Sequence, residues 1–513
     1  MRATVDRIAI IDFGSQYTQL ISRRVREFNV FSDILPPNVR REDLEPIERL
    51  KGIVLSGGPH SVYEKDAPYP PDFIFDMGIP ILGICYGHQY IAHKFGGKVA
   101  SVEKREYGYA KLRVIGKPKL FKRWGRDGQV WMSHGDSIET LPKGFTAIAE
   151  TDNSPYSAIV SDDGNIIGVQ FHPEVKHTER GSEILKGFVI DICNARRQWT
   201  PEHFITEATD EIREIVGGEK VLCAVSGGVD SSSLAMLLRR AVGEQAICIF
   251  VDNGLLRLNE RDKVKRSLGK LIGLEVIDAR RRFLDALRGI IDPEEKRRII
   301  GETFIRVFEE RARKEKNLRF LAQGTLYPDK IESEPVMGPS TTIKTHHNVG
   351  GLPEKMDLEL IEPFKFLFKD EVRKVGRGLG LSDEIIGRHP FPGPGLAVRV
   401  VGEVDEERLE ILRQADAIAM EVLERAGWYD KTSQAIVVLL PVRSVGVMGD
   451  ARTYENVVAL RCVITEDFMT ADWARLPYDV LAEISRRITN EVKGVNRVVY
   501  DITTKPPATI EWE

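Results

Sequence analysis

Two short apolar runs, each turning through a glycine-rich loop into a helical pattern, constrain the fold of this chain most strongly. They are IPILGICYGHQ, around Cys85, and VLCAVSGGVDSSSLAMLL, around Ser226. A buried strand that leads at once into a helix is the building unit of a parallel sheet covered by helices. Further apolar runs of strand length lie at 7–11, 52–55 and 79–82, and then at 246–251, 274–277 and 319–322. The sequence therefore predicts an α/β chain with two successive open, mainly parallel sheets flanked by helices.

The length of 513 residues and the hydrophobic content of 42% predict several domains. Residues 194–204, NARRQWTPEHF, are polar with one proline and are typical of a linker, although helix termini have the same composition. After His389 the string PFPGPG is incompatible with regular helix and indicates a second junction. Beyond it, a charged helix and β-rich runs predict a C-terminal α+β domain. The predicted domains are 1–195, 200–395 and 396–513.

The near balance of charge argues against nucleic acid or an anionic membrane as a partner. The 73 basic and 77 acidic residues give a net charge of -4, which creates no general attraction to either. The five cysteines are scattered and lack the paired spacing of a zinc site or a disulfide framework. The first residues are unlike a signal peptide, and no stretch is long enough to span a bilayer. We therefore expect an unprocessed cytoplasmic protein.

Cys85 lies at the end of an apolar strand, inside Gly-Ile-Cys-Tyr-Gly, just before a helix predicted to start near His88. This pattern is that of a nucleophile elbow, in which small neighbours relieve crowding and the helix N-terminus favours a thiolate. The backbone N–H of Tyr86, with those of Gly57 and Gly58 in the turn SGGP, could form an oxyanion hole. The pattern predicts nucleophilic catalysis.

A thiolate nucleophile also needs a proton donor for its leaving group, and the string QFHPE supplies one. His172 and Glu174 are two residues apart, so in extended backbone they point to the same side and the carboxylate can fix the imidazole tautomer. Each of these residues alone is more often structural than catalytic. Their combination with the glycine turns favours catalysis.

The strings SGGP, GICYGHQ and QFHPE, in this order, resemble the pattern of class I glutamine amidotransferases across most of residues 1–195. The resemblance implies that Cys85 attacks the glutamine side-chain amide, forming a glutamyl thioester and releasing ammonia, with His172 and Glu174 completing a triad. It also implies that Gln89 belongs to the glutamine pocket and that residues 133–136, SHGD, form a supporting loop.

The string SGGVDSS follows a buried strand and precedes a helix with Leu234, Leu237 and Leu238 on one face. A loop over 226–232 would present consecutive backbone N–H groups, and its glycines let the backbone approach a phosphate. The Asp230 carboxylate would repel phosphate unless a divalent cation lay between them, which predicts Mg²⁺ with Asp230 as a ligand. The predicted ATP-binding residues of this loop are Ser226, Gly227, Gly228, Val229, Asp230, Ser231 and Ser232.

The loop lacks the Lys-Ser/Thr ending of a Walker A motif and is similar to the signature of N-type ATP pyrophosphatases. This resemblance implies cleavage of ATP between the α and β phosphates and transfer of adenylate to a substrate oxygen. It places Val251, at the carboxyl end of the neighbouring strand, against the adenine.

The polar string IKTHHNVGG, at 343–351, has the composition of a mobile lid. Its paired histidines could bind a metal, but no third ligand stands at a suitable spacing. Lys369 matches a basic position of the family, although a solvated helical face explains it equally well. The residues predicted to contact phosphate or substrate here are Lys344, His346, His347 and Lys369.

The strings PFPGPGLAVRV, LPVRSVGVMGD, DFMTADW, RVVYD and KPPATIEWE resemble the C-terminal dimerisation domain of the GMP synthetase family. With the two earlier patterns, the resemblance covers nearly the whole chain. It implies a homodimer that adenylates the C2 oxygen of xanthosine 5'-monophosphate (XMP) with ATP and then displaces AMP with ammonia from glutamine. It places Lys505 and Glu511 at the XMP site, with Gln434 as a further candidate, whereas a solvated tail is the alternative for the first two.

Three other functions remain open at this stage. One is an amidotransferase that acts on a carboxylate, against which the C-terminal strings argue. Another is a tRNA-modifying protein, which would need a basic and aromatic stripe that this sequence does not provide. The third is a catalytically silent regulatory assembly, disfavoured because both sets of active-site residues are complete.

Overall fold

The computed structural model describes residues 4–333, 358–448, 451–465, 468 and 470–513. The chain separates into two compact units, Met1–Glu207 with Pro328–Ile343 and Ala208–Tyr327 with Lys344–Glu513. The predicted α/β class with two helix-flanked sheets is confirmed. The predicted lid residues Lys344, His346 and His347 lie outside the described residues.

The first unit is built on one nine-stranded sheet. Its strands are β1 (Arg7–Ile11), β2 (Phe31–Leu35), β3 (Leu50–Leu55), β4 (Ile81–Ile84), β5 (Lys98–Val114), β6 (Asp127–Thr140), β7 (Phe145–Glu150), β8 (Ala158–Ser161) and β9 (Ile166–Val169). Their order is β2-β1-β3-β4-β9-β8-β7-β5-β6. Neighbouring strands among β2, β1, β3, β4 and β9 pair in parallel. Strands β8, β7, β5 and β6 extend the sheet with antiparallel pairing.

Helices cover both faces of the parallel half, which explains its continuous apolar strands. Ile8 and Ile10 of β1 pack into one core, whereas Ala9 and Ile11 pack into the other. Successive residues of a strand point to opposite faces, so a strand buried on both faces consists mostly of apolar residues. The helices of this unit are α1 (Thr18–Glu27), α2 (Tyr86–Lys94) and α3 (Gly181–Lys186), and α4 (Pro201–Val216) spans the sequence boundary between the units.

Part of the predicted linker at 194–204 is packed against the first unit. The Trp199 indole is 6% exposed and its ring centroid lies 4.7 Å from that of Phe31. Arg196 pairs with the buried Asp6 at 2.9 Å. One aromatic residue and one ion pair thus fix residues 194–200, and α4 begins at Pro201. The linker at 194–204 stays a prediction.

The second unit contains a five-stranded parallel sheet in the order β12-β11-β10-β13-β14. Its strands are β10 (Lys220–Ala224), β11 (Ala246–Asp252), β12 (Glu275–Asp278), β13 (Leu318–Ala322) and β14 (Glu359–Ile361). The helices that follow along the chain are α5 (Val229–Val242), α6 (Glu260–Ile272), α7 (Arg280–Leu287), α8 (Pro293–Ala312), α9 (Tyr327–Ser333), α10 (Lys369–Gly378) and α11 (Asp383–Ile386). Of these, α9 spans the sequence boundary between the two units, at 327/328.

A four-stranded sheet completes the second unit. It consists of β15 (Gln434–Met448), β16 (Ala451–Ile464), β17 (Asp472–Trp473) and β18 (Val495–Tyr500), with helices α12 (Glu406–Arg425) and α13 (Tyr478–Glu491). Leu222 of β10, Leu396, Leu412 of α12 and Leu460 of β16 belong to one hydrophobic core. The predicted boundary at 395/396 thus lies inside a unit with a continuous core, and the three-domain division stays a prediction.

All five cysteines lie in the described part of the chain, and each is a buried, free thiol. Within the described ranges, no helix combines the length and the apolar character that a membrane crossing requires.

Candidate active sites

Cys85 lies in the turn between β4 and α2, in a backbone conformation that few residues other than glycine adopt. Its φ is 53° and its ψ is -102°, and such a conformation costs about 1–3 kcal/mol. The residue is 6% exposed. Helix α2 begins at Tyr86, two residues before the predicted start, so the first helical amide directly follows the thiol. The turn has the geometry of a nucleophile elbow.

Gly83 and Gly87 let the backbone segments around this turn approach each other. A Cβ on Gly83 would lie 2.4 Å from the carbonyl oxygen of Gly87, and one on Gly87 would lie 2.4 Å from that of Leu55. No side chain fits in either place. The sharp turn that presents Cys85 therefore requires both glycines.

His172 and Glu174 follow β9 and form a buried pair. Nδ1 of His172 and Oε1 of Glu174 are 2.7 Å apart. Burial alone lowers the pKa of His172, but the Glu174 carboxylate and the Cys85 sulfur outweigh it and hold this pKa well above its ordinary value. The structure thus brings the three predicted residues together, in the order carboxylate, imidazole and sulfur that a nucleophilic triad requires.

A cavity of about 650 Å³ opens beside Cys85 and His172. The other predicted residues that line it are Gly58, Tyr86, Gln89 and the loop 133–136. Nε2 of Gln89 donates to the carbonyl of Asp136 at 2.8 Å and to Oε1 of Gln170 at 3.2 Å. Gln89 is therefore fixed by its neighbours in the wall of the cavity.

The predicted oxyanion-hole residues lie close to the triad and to the start of α2. A Cβ on Gly57 would lie 3.3 Å from Cε1 of His172, and one on Gly58 would lie 3.4 Å from Cγ of Tyr86. The N–H of Tyr86 is the first of α2 and has no carbonyl one turn earlier to accept it. Backbone donors at these positions can stabilise an oxyanion beside the thiol.

Gln170 and Ser133 also contact the thiol, and neither contact was predicted from the sequence. Nε2 of Gln170 lies 3.8 Å from Sγ of Cys85, and the thiol donates to the carbonyl of Ser133 at 3.7 Å. Gln170 stands two residues before His172 in the string QFHPE. Residues with this spacing share one side of an extended segment, so the spacing was the available signal.

The predicted ATP loop connects β10 to α5, and its serines hydrogen-bond to each other. The N–H of Ser226 donates to Oγ of Ser231 at 3.0 Å, and the two hydroxyl oxygens are 2.9 Å apart. Gly227 has a φ of 78°, which favours glycine. The prediction of a loop reaching Ser232 is wrong, because this bonded turn lets the helix begin at Val229. The amides of its first turn are therefore suited to an anion.

The remaining predicted residues of this loop differ in exposure. Asp230 and Ser231 are half-buried, whereas Val229 and Ser232 are buried. Val251 is buried in β11, the strand that pairs with β10. Val229, Ser232 and Val251 therefore present little side-chain surface to a nucleotide in this state.

Asp230 forms an ion pair with Lys369, the first residue of α10. Its other oxygen, Oδ1, is buried and has no hydrogen-bond partner among the described residues. No cluster of three or more metal-ligating side chains occurs in the described part of the chain. An oxygen without a partner at a phosphate loop suits a hard cation whose other ligands are phosphate and water.

The structure brings two of the three predicted XMP residues together. Nε2 of Gln434 donates to Oε1 of Glu511 at 2.8 Å, and Arg399 binds the same carboxylate with two N–H groups at 3.0 and 2.8 Å. Lys505 donates instead to the carbonyl of Phe468 at 2.6 Å. Glu511 is therefore held by Gln434 and Arg399, whereas the Lys505 side chain contacts Phe468.

Two family descriptions match separate parts of the chain. Residues 9–192 match "Glutamine amidotransferase class-I", and residues 421–512 match "GMP synthase C terminal domain". The first match contains Cys85, His172 and Glu174, and the second contains Gln434 and Glu511.

Three curated proteins named as glutamine-hydrolyzing GMP synthases are similar to nearly the full length of this chain. The protein of Thermosipho africanus is 56% identical over 515 residues, covering 99% of this chain and 100% of its own. That of Aquifex aeolicus is 55% identical over 512 residues, covering 99% of each. That of Vibrio vulnificus is 54% identical over 510 residues, covering 99% of this chain and 98% of its own. The chain therefore belongs to the family of glutamine-hydrolyzing GMP synthases.

Proposed function

We infer that the chain is an ATP-dependent ligase that makes GMP, in which glutamine supplies ammonia to XMP. ATP adenylates the C2 oxygen of XMP, and ammonia then displaces AMP. The products are GMP, AMP, pyrophosphate and glutamate. The observation that carries this inference is the full-length similarity to GMP synthases, because one chain contains both the amidotransferase segment and the C-terminal segment.

For glutamine hydrolysis we assign the nucleophile to Cys85. Its sulfur attacks the side-chain amide carbon, and the protonated His172 gives a proton to the leaving nitrogen as the thioester forms. Glu174, at 2.7 Å, keeps the imidazole oriented and stabilises its charge. The amides of Gly58 and Tyr86 are assigned to the oxyanion, and Gln89 to the wall of the glutamine pocket. Water then hydrolyses the thioester.

For adenylation we assign the phosphates of ATP to the loop from Ser226 and the first turn of α5. The amides there and the Ser226 and Ser231 hydroxyls are the donors. Asp230 is assigned to Mg²⁺, which balances phosphate charge when bound. Lys369 already lies beside Asp230 and is the basic residue assigned to the same phosphates.

Two further assignments concern the XMP site and the location of the protein. Gln434 and Glu511 form one hydrogen-bonded group, and we assign it with Lys505 to XMP. A cytoplasmic location is proposed from the five free thiols, which a reducing compartment preserves.

Replacing Cys85 by alanine should separate the two nitrogen sources. With ATP, Mg²⁺ and XMP, the Cys85→Ala chain should form GMP from ammonium at the native rate, whereas the rate with glutamine should fall by about 10³-fold or more. The readouts are GMP and AMP. Cys193→Ala removes another buried thiol and should keep both activities. Equal loss with both sources would contradict the role of Cys85, and native protein that forms no GMP from either would contradict the function.

Replacing Glu174 by glutamine should lower the pKa of His172, because the carboxylate is the strongest of the groups that raise it. The imidazolium then loses its proton at a lower pH than in the native chain. We expect the NMR titration of His172 to move to lower pH and glutamine hydrolysis to slow by about 10²-fold or more. The exposed Glu179→Gln change, nearby in sequence, should alter neither. An unchanged titration would argue against the pair.

Replacing Asp230 by asparagine should weaken the response to Mg²⁺. The concentration of Mg²⁺ that gives half-maximal AMP formation should rise roughly tenfold or more, because a charged oxygen ligand is lost. The exposed Asp210→Asn change on α4 removes the same charge and should leave this concentration unchanged. An identical response of the Asp230→Asn chain would exclude a metal at this carboxylate.

We propose a homodimer formed through the hairpin of β15 and β16. Val442, Val445, Val447 and Tyr454 of this hairpin are 54%, 60%, 74% and 63% exposed, an unusual concentration of apolar surface. Sedimentation velocity at micromolar concentration should give the mass of two chains. The change Val447→Glu should shift the protein to monomer, and a native chain that sediments only as monomer would contradict the dimer.

A further inference from the structure

The peptide bond after Gly227 is held from outside the ATP loop by Arg388. Nη1 of Arg388 donates to the carbonyl of Gly227 at 2.9 Å. The two residues are 161 positions apart in the sequence. Arg388 lies just beyond the end of α11. A segment far from the loop in the sequence therefore contacts the loop at the Gly227 carbonyl.

The same guanidinium forms an ion pair with Glu260, the first residue of α6. Glu260 is 3% exposed, and its other oxygen accepts the N–H of Arg257 at 3.0 Å. A buried carboxylate with two partners fixes the guanidinium that it binds. Arg388 therefore cannot leave the Gly227 carbonyl without breaking an ion pair in a buried position.

The backbone around Arg388 is fixed as well. The ring of the next residue, His389, stacks on that of Tyr429 at 3.8 Å with an interplanar angle of 8°. Nε2 of His389 lies 3.0 Å from the carbonyl of Tyr429, and the N–H of His389 donates to the Tyr429 hydroxyl at 3.1 Å. The stack positions Arg388 independently of the ATP loop.

The orientation of this peptide decides which groups face a phosphate. In a trans peptide the carbonyl of Gly227 and the N–H of Gly228 point in opposite directions. Holding the carbonyl toward Arg388 turns the Gly228 N–H to the opposite side, where it donates to Oγ of Ser226 at 3.4 Å. Glycine at a φ of 78° could rotate this peptide, which would place an acceptor where phosphate needs a donor.

We propose that Arg388 is a positioning residue for ATP, because it holds the Gly227 carbonyl away from the side of the loop where the Gly228 N–H meets Ser226, and is itself held by Glu260. The proposal rests on the assignment of the loop from Ser226 to ATP. Arg388 contacts the far side of the loop and acts through the orientation of one peptide bond.

The test compares Arg388→Gln, Arg388→Lys and Glu260→Gln with the native chain. AMP formation is measured with ammonium and saturating XMP, over a range of ATP concentrations. Arg388→Gln should raise the KM for ATP roughly tenfold or more, since the charged donor is lost, with a smaller change in kcat. Arg388→Lys keeps one donor and should recover part of the loss. Glu260→Gln should also raise the KM for ATP, because it removes the charge that holds Arg388.

Two controls separate positioning from a general structural role. Arg377→Gln removes the same charge from an exposed ion pair with Asp383 and should keep the native KM for ATP. Glutamine hydrolysis by the first unit should be unchanged in every variant. A variant that only folds poorly would lose kcat, measured per total protein, at a native KM.

Different results would overturn the role of Arg388 and the proposed function. A native KM for ATP in both Arg388→Gln and Glu260→Gln would overturn the role of Arg388, as would loss of kcat alone. Failure of the native chain to form AMP from ATP with XMP and ammonium would instead overturn the proposed function. If Arg388→Gln does not fold, Arg388→Lys and Glu260→Gln decide the question by the same measurement.

Discussion

Both proposed sites depend on backbone amides that lack an acceptor within their helix. These amides lie where a buried parallel strand turns directly into a helix. In the first unit β4 leads through Cys85 into α2, and in the second β10 leads through a short loop into α5. The first amides of a helix have no carbonyl one turn earlier, so they can bind an anion unless another acceptor takes them, as the Ser56 carbonyl takes that of Gly87. The order of strand and helix therefore provides a place suited to an anion twice in this chain.

The residue placed at each turn determines what the free amides can do. Cys85 has a φ of 53° and Gly227 a φ of 78°, so both turns use the left-handed region. At Cys85 the strained position carries the proposed nucleophile, and the glycines at 83 and 87 provide the space. At Gly227 a Cβ would lie 2.5 Å from Cγ2 of Val264, so this turn requires glycine as well. A strand-to-helix turn is thus suited to covalent chemistry in one unit and to phosphate in the other.

The strands buried on both faces could be predicted closely from the sequence, and the predicted run at 7–11 coincides with β1 (Arg7–Ile11). The antiparallel strands of the first unit were missed because β5 and β6 alternate buried and exposed residues over long stretches with many polar positions. Contacts between distant residues were also missed. Gln170 and Cys85 are 85 positions apart, and the only signal for their contact was the two-residue spacing of Gln170 from His172. The start of α5 at Val229 depends on hydrogen bonds between side chains of the loop, which propensity does not encode.

Buried arginines hold the irregular segments of the second unit, because loop carbonyls away from water need donors. Arg461 donates to the carbonyls of Thr503, Thr509 and Ile510. Arg399, which follows the proline-rich junction and is fully buried, binds Glu511 with two N–H groups. These hydrogen bonds join the segment after the proline-rich junction to the segment after β18, although 112 positions separate Arg399 from Glu511. A ligand at Glu511 would meet a carboxylate whose charge is already balanced, so hydrogen-bond geometry rather than net charge would select it.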